Sequence, residues 1–387
     1  MDYFEESLKL HRKHRGKIKV MPKLPAKTKD DLSLAYSPGV AAPCKAIHEN
    51  PETVYDYTIK GNTVAIVSDG SAVLGLGNIG AKAAIPVMEG KAMLFKHFAG
   101  LDAFPICVET QDTEEIIKLV KNIAPVFGGV NLEDISAPRC FEIENRLQDI
   151  GIPVFHDDQH GTAVVTLAGL LNACKVVNKK MSDLTVVVNG SGAAGGAIAR
   201  LLSGYGNDDP SFVPVKSVMM CDTKGIIHNG RTDLTPIKKE FLLFTNLENR
   251  EGDLFDAMRG ADVFVGVSVA NLLTAKDIQL MNPNSIIFAL ANPVPEIMPE
   301  EAYKGGAAIV GTGRSDLPNQ VNNVLGYPGI FKGALEARAK RITLKMKVAA
   351  AYAIASCVKK PSRDMIIPSP LDKKVVKAVT AAVKAAV

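Results

Sequence analysis

The chain has 387 residues, long for one compact domain and enough for two, each with its own core. Apolar residues make up 47% and charged residues 22%, which excludes global disorder, collagen and a disulfide mini-scaffold and favours a cleft enzyme over a small binding module. The formal charge of +4 is unevenly spread: residues 9–29 carry nine Lys and Arg and no Asp or Glu, leaving 36 basic against 41 acidic residues elsewhere.

That basic arm reads as a segment packed on a partner subunit, with a homodimer as the default assembly. Asp2, Glu5 and Glu6 argue against a transit peptide, and no apolar run marks a secretory signal. No aromatic residue follows Phe4 within the arm to stack on bases, so no nucleic-acid partner is expected. No segment reaches the ~18 uninterrupted apolar residues of a membrane span. Six scattered cysteines without a C-x-x-C pair read as reduced thiols in a cytoplasmic protein.

Short apolar strands are expected at 63–67, 104–108 and 154–155, and a helix over 112–123 that opens on capping residues. Then come a long helix over 161–177 and a strand at 185–188 running into a glycine turn and a helix. Further strands follow at 218–221, 263–267, 285–290 and 308–310. Apolar strands alternating with helices imply a parallel sheet covered on both faces, an α/β chain doubly wound in its second half. Two units are expected, 1–160 and a Rossmann-type unit over 161–387 whose last helices, from about 325, pack back on the first.

Gly190-Ser191-Gly192-Ala193-Ala194-Gly195 lies between the strand at 185–188 and a helical stretch, the setting in which G-x-G-x-x-G binds a dinucleotide pyrophosphate. Asp222, at the end of the next strand, suits the ribose hydroxyls; the polar insert 204–210 accounts for its distance from the loop. A second G-x-G-x-x-G, Gly75 to Gly80, is set off from its strand by seven residues and reads as tight backbone packing or a substrate-facing loop. Glu133-Asp134 and Asp157-Asp158 would, if they converge, offer oxygen ligands for a hard ion such as Mg2+ or Mn2+; either pair alone reads more simply as solvent-facing. Lys91, in a mainly apolar stretch, is a candidate general base with a depressed pKa, and Tyr36 sits on a turn set by Pro38 and Gly39.

Several stretches together resemble the malic enzymes in their short bacterial and archaeal form. They are Leu-Ser-Leu-Ala-Tyr-Ser-Pro-Gly-Val at 32–40, Ser-Asp-Gly-Ser at 68–71, 74–80, Gly90-Lys91, Asn-Leu-Glu-Asp-Ile at 131–135, Phe-His-Asp-Asp-Gln-His-Gly-Thr-Ala at 155–163, 190–195, 288–293 and 311–323. The resemblance implies oxidative decarboxylation of L-malate to pyruvate and CO2 with NAD or NADP and a divalent metal. It implies that Tyr36 donates a proton, that Lys91 accepts one and contacts substrate, and that Glu133, Asp134 and Asp158 hold the metal. Asp157 becomes a secondary candidate for proton handling or cofactor contact, and Asn292, Asn322 and Asn323 candidates for substrate, Asn292 also for cofactor. The first unit would hold malate and metal, the second NAD(P).

Larger relatives carry an acid and a substrate arginine where this chain reads Ser71 and Ala72, so carboxylate recognition must come from elsewhere. The sequence ends at Val387 without the phosphotransacetylase-like domain of some short relatives, so regulation through it is not expected. Asp222 favours NAD, while Lys224 or Arg231 could meet the 2′-phosphate of NADP. The alternatives are a malolactic-type reaction with retained cofactor and an inactive dinucleotide-binding module. Intact Tyr36, Lys91 and metal acids argue against the latter.

Overall fold

The computed structural model describes residues 3–387. In the first half, β1 (Thr63–Ser68), β2 (Asp102–Cys107), β3 (Gly129–Leu132) and β4 (Val154–His156) form a parallel sheet in the order β2-β1-β3-β4. Alternation along β1 sends Val64 and Ile66 to Met88 and Ala92 of the helix Gly80–Leu94. Ala65 and Val67 point the other way, into a cluster with Ile116, Ile117 and Val120 of Thr113–Ile123. Helices on both faces explain why β1 is buried throughout.

The second sheet contains β5 (Thr185–Asn189), β6 (Ser217–Asp222), β7 (Gly225–Ile226), β8 (Val263–Gly266), β9 (Ile286–Ala289) and β10 (Ile309–Thr312). Its order is β10-β9-β8-β5-β6-β7, parallel except for the antiparallel edge strand β7. The strand order reverses between β5 and β8, the switch point where ligands of doubly wound folds bind beyond the carboxyl ends of the strands.

The helix Asp157–Val177 follows β4 directly and starts earlier than expected, because Asp157 and Asp158 occupy a first turn that favours negative charge. By length and hydropathy it would pass for a membrane span, yet 67% of its most apolar window is buried inside the protein. Its Asn172 Nδ2 donates to Ala355 O and Ile366 O, both at 2.9 Å. The helix Tyr327–Glu336 lies against the first half: Phe331 packs edge-on to Phe95 (5.4 Å) and Phe155 (5.8 Å).

The arm contrasts with this core. The helices Tyr3–His14, Lys29–Ala35 and Ala41–Glu49 contain no buried residue, and Phe4, Leu8, Leu34 and Tyr36 are exposed. The segment between the first two touches the body through Lys17, whose backbone N–H donates to Glu89 Oε2 (3.1 Å) and whose Nζ donates to Pro86 O (2.6 Å) on the helix carrying Lys91. All six cysteines are free thiols; burial pushes those of Cys140, Cys174 and Cys221 up to about 12.

Candidate active site

The two acid pairs lie at the carboxyl ends of adjacent strands, Glu133-Asp134 just past β3 and Asp157-Asp158 just past β4. Asp134 takes a left-handed backbone (φ 54°), and its N–H donates to Asp158 Oδ2 at 2.8 Å. One carboxylate oxygen from each of Glu133, Asp134 and Asp158 lies within 4.8 Å of the others. Burial pushes Asp158 up to about 6 against the pull of Lys91, so the site holds more negative charge than its apolar surroundings readily stabilise. An all-oxygen set of this kind fits a hard divalent cation.

Lys91 enters from the helix Gly80–Leu94. Its Nζ donates to Glu133 Oε1 at 2.5 Å and to Asp157 Oδ2, and it stands 4.3 Å above the ring of Tyr327. Asn131 supports Glu133 (2.8 Å) and Asn323 supports Asp157 (2.5 Å). The expectation of a depressed lysine pKa is corrected here. Burial does work against the charge, but Asp157 and Glu133 outweigh it and raise Lys91 well above its ordinary value. Asp157, also buried, is pushed up to about 7.

The two neighbouring asparagines separate. Asn323 reaches Asp157, whereas Asn322 Oδ1 accepts the N–H of Val324 (3.0 Å) and caps a short turn. Asn292 precedes Pro293 beyond β9, and a side chain at Gly75 would meet its carbonyl oxygen at 2.5 Å. The second glycine motif therefore makes close backbone contact with this asparagine. Tyr36 stands apart: its side chain is 74% exposed and its hydroxyl has no hydrogen bond among the described residues.

The first motif has the form a diphosphate site requires. A Cβ at Gly195 would fall 1.7 Å from Gly190 O, whereas Gly192 faces open space. The helix Ala193–Ser203 begins after Gly192 without a side-chain cap, so no side chain takes up the first-turn N–H groups that a diphosphate would accept from. Asp222, at the end of β6, already has partners. Arg231 grips it with two nitrogens (2.8 and 2.9 Å), Lys238 Nζ donates at 2.5 Å, and Lys224 N–H at 2.9 Å. The Lys224 side chain pairs with Asp233 (3.0 Å), which Arg231 also holds.

Sequence reasoning missed Asn131, Tyr327 and Lys238. Only Asn131 left a signal, as it shares a face of β3 with Glu133 two residues on. It also missed Arg139, which donates to Ser71 Oγ (3.0 Å) and pairs with Asp69 (2.8 Å) beside the serine that stands where larger relatives differ.

A family model described as malic enzyme, NAD binding domain, matches residues 159–387, and one described as malic enzyme, N-terminal domain, matches 14–115 and 109–148. The bifunctional malic/malolactic enzyme of Bacillus subtilis is 57% identical over 99% of this chain and 92% of its own. The NAD-dependent malic enzyme of Geobacillus stearothermophilus is 56% identical over 95% of this chain and 76% of its own. The crystal structure of the NAD-dependent malic enzyme of Thermotoga maritima matches with a TM-score of 0.94 at 50% identity, covering 98% of this chain and 99% of that one. With both halves matched and the acid, lysine and glycine-loop geometry in place, the chain belongs to the malic enzyme family.

Proposed function

We propose that the protein oxidises and decarboxylates L-malate to pyruvate and CO2, reducing NAD in preference to NADP with Mg2+ or Mn2+. One observation carries this reading: Asn323, in the loop that follows β10 of the dinucleotide unit, bonds Asp157 at the acid cluster of the first unit, so one cleft serves both. The units divide near residue 160.

When bound, a divalent ion on Glu133, Asp134 and Asp158 supplies Lewis acidity at the substrate oxygens and the nicotinamide supplies the hydride acceptor. Lys91 takes the C2 hydroxyl proton on Nζ. Because Asp157 and Glu133 hold the ligand-free lysine charged, it must give up a proton as the cation and substrate bind and lower its affinity for it, and Asp157, hydrogen-bonded to Nζ, is the adjacent group to carry that proton away. Asn292 and Asn323 orient the substrate carboxylate. Tyr36 protonates C3 after CO2 has left.

The exposed apolar side chains of the arm support a homodimer in which residues 3–49 are covered by a second copy, and the entry of Tyr36 into a site depends on that packing. The cation-rich setting of Asp222 leaves NADP admissible. The free thiols suit a cytoplasmic setting.

The test is L-malate-dependent reduction of NAD and NADP with Mn2+ and with a chelator. Lys91→Ala is expected to abolish reduction and keep dinucleotide binding, and near-normal turnover refutes the assignment. A second reading, malolactic conversion with retained cofactor, is favoured by the name of the Bacillus subtilis relative. Lactate formed without free NAD(P)H identifies it.

A further inference from the structure

Glu144 is a buried carboxylate to which the reaction above gives no part. It sits on the helix Arg139–Arg146, beneath the junction where β4 becomes the helix Asp157–Val177. Its Oε1 accepts the backbone N–H of His156 at 3.1 Å. Its Oε2 accepts Gln159 Nε2 at 3.0 Å and the Nε2 of His160 at 2.9 Å. These partners bracket the pair Asp157-Asp158: one residue before it and two after it.

The junction needs such a partner. The first turn of a helix leaves backbone N–H groups without intrahelical acceptors, and the residue at the capping position, His156, makes no side-chain cap. Glu144 supplies the missing acceptor from a neighbouring helix. Burial pushes its carboxyl up, but His160 and the Lys347 ammonium more than offset this and hold it down at about 2, so it is ionised. The remaining buried side chains of its helix, Cys140 and Ile143, belong to the apolar cluster under the first sheet, which leaves Glu144 free to face the junction.

We propose that Glu144 is a positioning residue for the metal acids. It pins the first turn of the helix so that Asp158 meets Glu133 and Asp134 while Asp157 meets Lys91. This rests on the metal reading given above. Partners that orient metal ligands typically contribute 10- to 100-fold in metal affinity. Loss of Glu144 acts at the start of the helix, because Asn172 fixes the other end in the core.

The experiment measures Mn2+ binding to the full-length protein by electron paramagnetic resonance without substrate, together with NAD(P)H binding and malate kinetics. Wild-type protein is expected to hold one Mn2+ per chain, and Asp158→Asn to lose it. Glu144→Gln keeps the volume but turns an amide donor toward the donors Gln159 and His160. It is expected to weaken Mn2+ by about 10- to 100-fold and lower kcat while dinucleotide affinity stays within about 2-fold. Failure of wild-type protein to bind Mn2+ overturns the metal reading. Normal Mn2+ binding by wild type together with unchanged affinity and kcat in Glu144→Gln overturns the positioning role alone. Should that variant not fold, Gln159→Met removes one of the three donors. A 3- to 10-fold loss of Mn2+ affinity, about 1 kcal/mol, supports the clamp, and unchanged affinity overturns it.

Discussion

Replacing Lys91 with methionine tests how the site is held together before any ligand binds. The lysine is the shared cation of Glu133 and Asp157; without it those carboxylates keep, among the described residues, only Asn131 and Asn323 as side-chain donors. Removing one member of a buried ion pair costs about 3–5 kcal/mol. Methionine restores most of the volume and a sulfur contact on the Tyr327 ring, and Asp157, already at about 7, can take up a proton, so the lower end applies. About 3 kcal/mol at roughly 2 °C per kcal/mol for a chain this size predicts a melting temperature lower by about 6 °C at pH 7.5 without metal. The deficit must shrink at pH 5.5. An acid whose folded pKa is raised contributes stability below its unfolded value and loses it as pH rises through the folded value, and losing Lys91 raises both acids further. Calorimetry of metal-stripped wild type and variant at the two pH values decides. An unchanged melting temperature at pH 7.5, or a larger deficit at pH 5.5, refutes the reasoning.

In the wild-type protein freed of metal, Asp157 at about 7 and Asp158 at about 6 lie above their unfolded value near 4, so their contribution to stability falls as pH rises from about 4 through about 7. Mn2+ binds the ionised acids, so its stabilising shift in melting temperature should grow over the same range, and a shift independent of pH contradicts it. Gly195→Ala puts a Cβ 1.7 Å from Gly190 O and should weaken NAD(P)H by about 100-fold, with Mn2+ binding as the internal control. Lys238→Ala frees Asp222 of one cation and should lower kcat/KM for NADP relative to NAD by about 10-fold; an unchanged ratio shows that Lys238 does not set the preference. Asn323→Ala should reduce malate turnover by 10-fold or more while Asn322→Ala acts mainly through stability, and equal kinetic losses would remove the distinction.

The parallel second sheet was legible because its strands are nearly continuous apolar runs, and the glycine loop because its strand and helix flank it directly. β3 was not: Gly129-Val130-Asn131-Leu132 is too short to stand out as a strand and none was expected there, and only pairing with β1 and β4 makes it one. The acids were found as residues, but their convergence comes from adjacent strand ends that no local pattern reveals. Lys91 shows the limit most clearly. Its apolar neighbours suggested a neutral amine, while the groups that set its charge lie 42 and 66 residues away in the chain. Lys238 reached Asp222 in the same unheralded way, and the arm carries apolar residues that the single chain leaves exposed.

β4 ends at His156 and the helix begins at Asp157, with no intervening residue, while the helix body is embedded in the core against the helices Ala193–Ser203 and Leu344–Ser356. A strand of one sheet running straight into a buried helix of the other leaves no slack at the acid pair, so any rotation between the two sheets about this point would have to be absorbed by the backbone of the few residues at the joint itself, next to the acids.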